Sequence, residues 1–240
     1  MGNLSLKQSL MRAKSHAKKG DLAEAEKLYE TILQNLSNNI RGQQGLGSLN
    51  KPIQRNVIQN PPQEEFSQLV KLYNQGQIEA VIEQAEALTA QYPGAYVVWN
   101  MLGASRAQKG MLDEATMRAF NNSISLKPDY ADAYYNMGYA LYYLDKLDEA
   151  IWAYKKAISI KPNDGDFYYN LGITLKDQGN LGASVDAYKK TILLKPDYAD
   201  AYYKLGIALY AQDKFDKATQ AYKKAISLEP NNADTYNKIG

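Results

Sequence analysis

Residues 131–164 read ADAYYNMGYALYYLDKLDEAIWAYKKAISIKPND, and residues 199–232 read ADAYYKLGIALYAQDKFDKATQAYKKAISLEPNN. The two stretches are identical at 22 of 34 positions, which is more than a shared helical composition explains. Residues 165–198 lie between them with the same period. Prolines mark the ends of successive units, 34 residues apart from the second onwards, at Pro128, Pro162, Pro196 and Pro230. The chain is therefore a tandem repeat.

Each unit predicts two helices joined by a short turn. In residues 131–164 the first helix has apolar residues at helical spacing, namely Tyr134, Met137, Gly138 and Leu141. The second helix places Ala150, Tyr154 and Ala157 on its inner face, and Pro162 ends it because proline disfavours helix in the preceding residue. A glycine inside a helix costs about 1 kcal/mol relative to alanine. Its recurrence predicts the close approach of a neighbouring helix at Gly103, Gly138, Gly172 and Gly206.

The repeat carries a family pattern: an aromatic at position 4, Leu-Gly at 7–8, Ala at 20, an aromatic at 24, Ala at 27 and Pro at 32. The unit 199–232 matches it at Tyr202, Leu205, Gly206, Ala218, Tyr222, Ala225 and Pro230. This pattern resembles the tetratricopeptide repeat (TPR). The resemblance implies an all-α fold, an α-solenoid in which stacked helix-turn-helix units form a right-handed superhelix. It also implies a concave groove that binds a protein or peptide.

We assign the array to residues 62–232, as units 62–95, 96–130, 131–164, 165–198 and 199–232. The second of these has one extra residue near Thr116 and Met117, which predicts either a bulge or a shifted helix start. Residues 1–39 resemble a degenerate N-terminal helix pair. Residues 40–61 read as half a repeat followed by a linker or hinge, because Asn50-Lys51-Pro52 interrupts the helical pattern.

Residues 233–240 begin a further unit and stop within its first helix. Solenoids normally end in a polar capping helix, and this sequence has none. We therefore expect the sequence to be a fragment of a longer protein. We also expect self-association through the uncapped C-terminal end.

Composition favours binding over catalysis. The net charge is +2 over 240 residues, which gives no general attraction to nucleic acid or to an anionic membrane surface. There is no cysteine and one histidine, His16, so thiolate metal sites are excluded. No nucleophile–base pair, phosphate loop or metal-ligand spacing is present. We expect a cytoplasmic protein that is not an enzyme, needs no cofactor, and binds neither nucleic acid nor membrane.

The side of the first helix opposite the packing stripe is unusually aromatic. An isolated amphipathic helix would have polar residues there. In residues 131–164 these positions are Asp132, Tyr135, Asn136, Tyr139, Tyr142 and Tyr143, and Tyr210 follows in the last unit. Neighbouring first helices could bury some of these rings, so a packing role is the alternative. The predicted peptide-binding residues are Asn100, Tyr135, Asn136, Tyr139, Tyr142, Tyr169, Asn170, Ile173, Tyr203 and Lys204.

Three comparisons with members of the family bear on the identity of the partner. Asn136 and Asn170 share repeat position 6 and resemble the asparagine ladder of the O-linked N-acetylglucosamine transferase repeats, but Met101 and Lys204 interrupt it. The Lys and Asn pattern with which chaperone-binding members hold a peptide carboxylate is absent. Residues 63–77 loosely resemble bacterial arrays that precede sulfotransferase or glycosyltransferase domains. The alternative function is therefore a substrate-docking or regulatory region of a larger transferase.

Overall fold

The computed structural model describes residues 60–230 together with Arg12, Ser15, His16 and Lys27, which are helical. Residues 60–230 form ten α-helices and no strand. They are α1 (Gln63–Asn74), α2 (Ile78–Gln91), α3 (Tyr96–Gln108), α4 (Glu114–Leu126), α5 (Ala131–Tyr143), α6 (Leu147–Ile160), α7 (Gly165–Asp177), α8 (Leu181–Leu194), α9 (Ala199–Tyr210) and α10 (Phe215–Leu228). The predicted all-α architecture of packed helix pairs is confirmed.

Each helix pair lies within one assigned repeat, from α1 and α2 in residues 62–95 to α9 and α10 in residues 199–232. The predicted pair at 1–39, except for its four described residues, lies outside the described residues. So do the linker 40–61, except for its last two residues, and the truncated unit 233–240. None of the ten helices is both long and apolar enough to cross a membrane.

The chain divides into two compact units, and the division falls between Ala133 and Tyr134, inside α5. In unit 1, which ends at Ala133, helices α1 to α4 enclose one apolar cluster. Its most deeply buried members come from all four helices, with Leu69 on α1, Val81 and Ala85 on α2, Val98 on α3 and Ala119 on α4. Trp99 and Phe66 pack against this cluster from its edge.

Unit 2, which begins at Tyr134, has its own core. Helices α7 to α10 contribute a cluster in which tyrosines take the place that leucine or phenylalanine fills in most cores. Its members are Tyr169, Val185, Tyr188, Ala201, Leu205, Ala208, Leu209, Ala218, Ala221 and Tyr222. The small residues let the large rings lie flat between helices, which explains how a tyrosine-rich chain reaches close packing.

The recurring helix glycines face the aromatic residue at position 24 of the same repeat. A Cβ built on Gly172 would lie 2.7 Å from Cε1 of Tyr188, and one on Gly138 would lie 2.9 Å from Cε1 of Tyr154. Gly206 stands in the same relation to Tyr222, and Gly103 to Phe120, which the extra residue moves to position 25 of its repeat. These rings are buried, so no side chain fits between helix and ring. The predicted close approach is confirmed, and its partner is the second helix of the same repeat.

The extra residue of the second repeat lies in a turn and shifts a helix start. In the next repeat the left-handed residue Asp145 is followed two residues later by the start of α6. In the second repeat the left-handed residue is Gly110, and α4 begins four residues later, at Glu114. Asp113 caps α4 by accepting a hydrogen bond from the backbone N–H of Thr116. Of the two expected alternatives, the shifted start is therefore correct.

The same turn is contacted by a buried arginine of α3 that the sequence patterns did not single out. Arg106 stands where the later repeats have Leu141, Leu175 and Leu209, and its side chain is 10% exposed. Its guanidinium binds Oε1 of Glu86 at 3.0 Å and Oδ2 of Asp113 at 2.9 Å. Its Nε donates to Oγ1 of Thr116 at 3.2 Å, and that hydroxyl donates to the carbonyl of Met111. The network joins α2, α3 and the lengthened turn.

Candidate functional site

In unit 2 the aromatic stripe of the first helices is exposed at the C-terminal end of α5. Tyr139 is 37% exposed and Tyr143 is 58% exposed. The rings of Tyr139 and Tyr143 have centroids 4.7 Å apart, and those of Tyr142 and Tyr143 are 5.3 Å apart and nearly perpendicular. We call Tyr139, Tyr142 and Tyr143 the tyrosine cluster. It places three aromatic rings at one point on the surface.

Two hydroxyls of the tyrosine cluster are held by neighbours. Tyr142 donates to Oδ2 of Asp177, on α7, at 2.7 Å. Partial burial and this carboxylate raise the pKa of Tyr142 to about 12. A hydrogen bond with Tyr143, together with burial, raises the pKa of Tyr139 to about 12. Tyr139 and Tyr142 are therefore uncharged at neutral pH.

Asp177 connects the cluster to lysines of α7 and α9. Burial alone would raise the pKa of Asp177. Hydrogen bonds from Lys176 and Tyr142 outweigh this effect, together with the positive charges of Lys176 and Lys204, so the pKa of Asp177 is lowered. The Lys176 Nζ lies 2.7 Å from Oδ1 of Asp177. Lys204 also lies over the ring of Tyr203, with its Nζ 5.7 Å from the centroid. Both lysines on this side of α7 and α9 are thus engaged within the protein.

Tyr135 and Asn170 bind each other across two helices. The amide nitrogen of Asn170 donates to the Tyr135 hydroxyl at 2.9 Å and to the carbonyl of Asp166 at 3.1 Å. The Tyr135 ring stacks on Phe167 at 4.9 Å. Burial, with the charges of Asp166 and Asp164, raises the pKa of Tyr135 to about 12. Both amide protons of Asn170 are engaged inside the protein, so its carbonyl oxygen is the group left for a partner.

Tyr169, which was predicted as a peptide-binding residue, lies in the core of unit 2. The side chain is 8% exposed and belongs to the unit 2 core, with its ring 4.9 Å from that of Tyr198. The hydroxyl donates a short hydrogen bond to Oδ2 of Asp200, on α9. Burial and this carboxylate raise the pKa of Tyr169. The helix that follows covers this position, which a projection of one isolated helix does not reveal.

Asn100 is buried as well, at 6% exposure, in unit 1. It makes a side-chain hydrogen bond with Tyr130, the last residue of the same repeat. Asn100 was also predicted as a peptide-binding residue, and the structure places it, like Tyr169, among buried residues. Neither side chain could reach a partner without a rearrangement of the helices around it.

The remaining predicted residues lie on the first helices of unit 2, and two of them pack against its core. Ile173 and Tyr203 are half-buried and pack against that core, and the ring of Tyr203 lies 5.9 Å from that of Tyr222. Asn136 and Lys204 are half-buried too. The residue with the largest exposed ring in the cluster, Tyr143, was on the predicted stripe but not among the predicted contacts. Its signal was the run Tyr142-Tyr143 at the end of a first helix.

Family models match the C-terminal part of the chain. One described as TPR repeat matches residues 138–179 and 174–213, and one described as tetratricopeptide repeat matches residues 199–232. The repeat period, the glycine–aromatic contacts and these matches agree. Residues 138–232 are tetratricopeptide repeats. No curated protein matches the chain.

Solved TPR structures resemble the chain more widely. A crystal structure of MamA is 26% identical, with a TM-score of 0.63, and the alignment covers 69% of this chain and 96% of MamA. MamA from Desulfovibrio magneticus RS-1, residues 41 to the end, is 18% identical with a TM-score of 0.65, covering 73% and 99%. YrrB, a TPR protein with an unusual peptide-binding site, is 18% identical with a TM-score of 0.61, covering 72% and 89%. The chain has the fold of these TPR proteins.

Proposed function

We propose that the protein is a non-catalytic interaction scaffold that binds a protein or peptide segment on the first-helix surface of unit 2. That surface consists of the tyrosine cluster with Ile173, Tyr203 and Lys204. The observation that carries the proposal is the exposure of the cluster. Three aromatic rings meet at one point, two of them with more than a third of their surface in solvent. Tyrosine offers a large contact area for little loss of side-chain entropy, which suits it to interfaces.

The corresponding surface of α3, in unit 1, lacks the exposed tyrosines, which supports a binding site confined to unit 2. The residues of α3 that correspond to Tyr139, Tyr142 and Tyr143 are Ala104, Ala107 and Gln108. Alanine and glutamine offer little area to a partner, and hot spots of interfaces are enriched in tyrosine, tryptophan and arginine. Binding through the later repeats is therefore favoured.

Peptide display on the full chain tests the proposal. Peptides selected from a random library should bind the parent chain. The double variant Tyr139→Ser, Tyr143→Ser should lose roughly 1–2 kcal/mol of binding free energy, because aromatic anchors dominate interfaces. The matched control is Lys155→Ser, Lys189→Ser, which alters two exposed residues of the second helices α6 and α8. If the control abolishes binding and the tyrosine variant does not, the partner site lies on the second helices.

The alternative, a docking region of a larger transferase, is not favoured by the residues that suggested it. Leu72-Tyr73-Asn74 ends α1, and Gly76 is the left-handed residue of the turn into α2, with φ of 70°. These residues have a structural role in any TPR unit. The reading frame beyond residue 240 would show whether a catalytic domain follows.

Self-association is a separate proposal about partners. The last described helix pair has an exposed aromatic contact of its own, because Tyr210 and Phe215 are 58% and 51% exposed with ring centroids 5.2 Å apart. Light scattering at high micromolar concentration should detect association. A monomer under those conditions would rule it out.

A further inference from the structure

We propose that the tyrosine cluster binds a basic side chain, that of an arginine or a lysine, in the protein or peptide partner. This inference rests on the proposed function and specifies the chemistry of the partner. The contact would be a cation–π interaction, in which a positive group lies over the negative face of an aromatic ring. Three observations carry it: the state of the hydroxyls, the behaviour of other rings in the chain, and the distribution of charge.

The hydroxyl of Tyr142 is already engaged, because it donates to Asp177. The rings of Tyr139 and Tyr143 lie against each other with centroids 4.7 Å apart, and the interaction with Tyr143 raises the pKa of Tyr139. A partner therefore meets ring faces more readily than free hydroxyl groups. The face of an aromatic ring carries the negative part of its quadrupole, so it attracts cations.

Elsewhere the protein covers such rings with its own lysines. In the described part of the chain, a lysine Nζ lies over an aromatic ring at four places, 4.9 to 5.7 Å from the centroid. The pairs are Lys127 with Tyr96, Lys161 with Phe167, Lys195 with Tyr198, and Lys204 with Tyr203. Within the same residues, no lysine or arginine lies over Tyr139, Tyr142 or Tyr143. Among the residues that the structure describes, the three rings of the cluster are therefore not covered by an internal cation.

The charge of the surrounding helices favours a basic partner. The first helices α5, α7 and α9 carry four aspartates and two lysines, which gives them a net charge of −2, with Asp166 paired to Lys195 and Asp177 paired to Lys176. The second helices α6, α8 and α10 carry four acidic residues and seven lysines. Helix α5 itself contains no lysine or arginine. A basic segment would thus be attracted to the first helices and repelled by the second helices.

The experiment uses peptides selected on the full chain from a random display library. Arginine and lysine should be enriched among them. Replacing the key arginine by citrulline removes its charge and keeps its shape, and should weaken binding about two- to five-fold, the range for an exposed cation–π contact. Citrulline peptides that bind equally well would overturn the inference while leaving the proposed function in place. Failure to obtain any peptide that depends on Tyr139 or Tyr143 would overturn both.

Variants of Tyr143 separate a cation–π contact from simple apolar docking. Tyr143→Phe keeps the ring face and should retain binding. Tyr143→Leu keeps an apolar side chain without a ring and should lose binding about two- to five-fold. Phe215→Leu, on α10 and similarly exposed, is the control and should bind as the parent does. If Tyr143→Leu binds the arginine peptide as tightly as the parent chain, the cluster is an apolar contact and the inference is wrong.

Discussion

At the scale of single residues, two glycines in neighbouring helices should respond in opposite ways to the same substitution. Gly172→Ala should destabilise the protein by about 1–3 kcal/mol, because its Cβ would meet the buried ring of Tyr188 at 2.7 Å. Gly182→Ala should stabilise it by about 0.5 kcal/mol, because the site in the first turn of α8 is open and alanine favours helix. Urea unfolding of both variants measures this. Equal effects would contradict the close contact.

The hydroxyl of Tyr169 supplies a second residue-scale prediction. Tyr169→Phe removes the hydrogen bond that joins α7 to Asp200 on α9 and keeps the ring packing. We expect the free energy of unfolding to fall by about 1–2 kcal/mol. This is the lower end of the range for a hydrogen bond to a charged group, because Asp200 stays partly exposed to water. Tyr210→Phe, at a 58% exposed position, is the control and should change stability little. Urea unfolding at neutral pH compares the two.

At the scale of elements, the start of α4 depends on Asp113. Asp113→Ala removes the cap of the helix and the ion pair with Arg106, and should cost about 1–2 kcal/mol of stability. Asp113→Asn keeps an oxygen that can accept from the Thr116 N–H and loses only the charge, so it should cost less than the alanine variant. Thermal or urea unfolding distinguishes them. Equal losses for both variants would mean that the ion pair, and not the cap, sustains the helix start.

Helix pairs and their close contacts could be predicted from the sequence because they depend on spacing within one repeat. Tyr134, Leu141 and Tyr154 are buried as their periodicity predicts. Position 20 of the repeat pattern falls on Ala115 in the unit 96–130, yet the buried residue is Thr116, because the extra residue precedes it. The sequence pattern of a repeat therefore shows that a residue has been inserted, but it does not show at which position of the turn the residue lies.

Burial by residues outside the two helices of a repeat could not be predicted in this way. Asn100 and Tyr169 lie opposite the packing stripe of their own helices, and on an isolated helix they would meet water. Their burial depends on contacts with residues about 30 positions further along the chain, which include Tyr130 and Asp200. Arg106 carried a usable signal, because it replaces a leucine that recurs in three later repeats. A charged residue on an apolar stripe predicts a buried network with acidic partners.

At the scale of the whole molecule, the tyrosines should make stability fall in alkaline solution. The folded protein raises the pKa of Tyr135, Tyr139 and Tyr142 to about 12, whereas an unfolded tyrosine ionises near 10. The unfolded state therefore loses protons first, and the stabilisation present below pH 10 disappears between about pH 10 and 12. Absorbance near 295 nm should report fewer tyrosinates at about pH 11 in the native protein than in urea. Coincident titration curves would contradict the raised pKa values.

The glycine–aromatic contact has a consequence for how such a chain can lengthen in evolution. Because Gly138 meets Tyr154 and Gly172 meets Tyr188, each copied unit brings both halves of its internal contact with it. An in-frame duplication or deletion of one 34-residue unit within residues 131–232 would preserve every such contact. The unit 96–130 is not exchangeable in that way, since Arg106 requires Glu86 from the unit before it. Duplications and deletions of whole repeats should therefore be found among the later units and not at the junction between residues 62–95 and 96–130, where Arg106 binds Glu86.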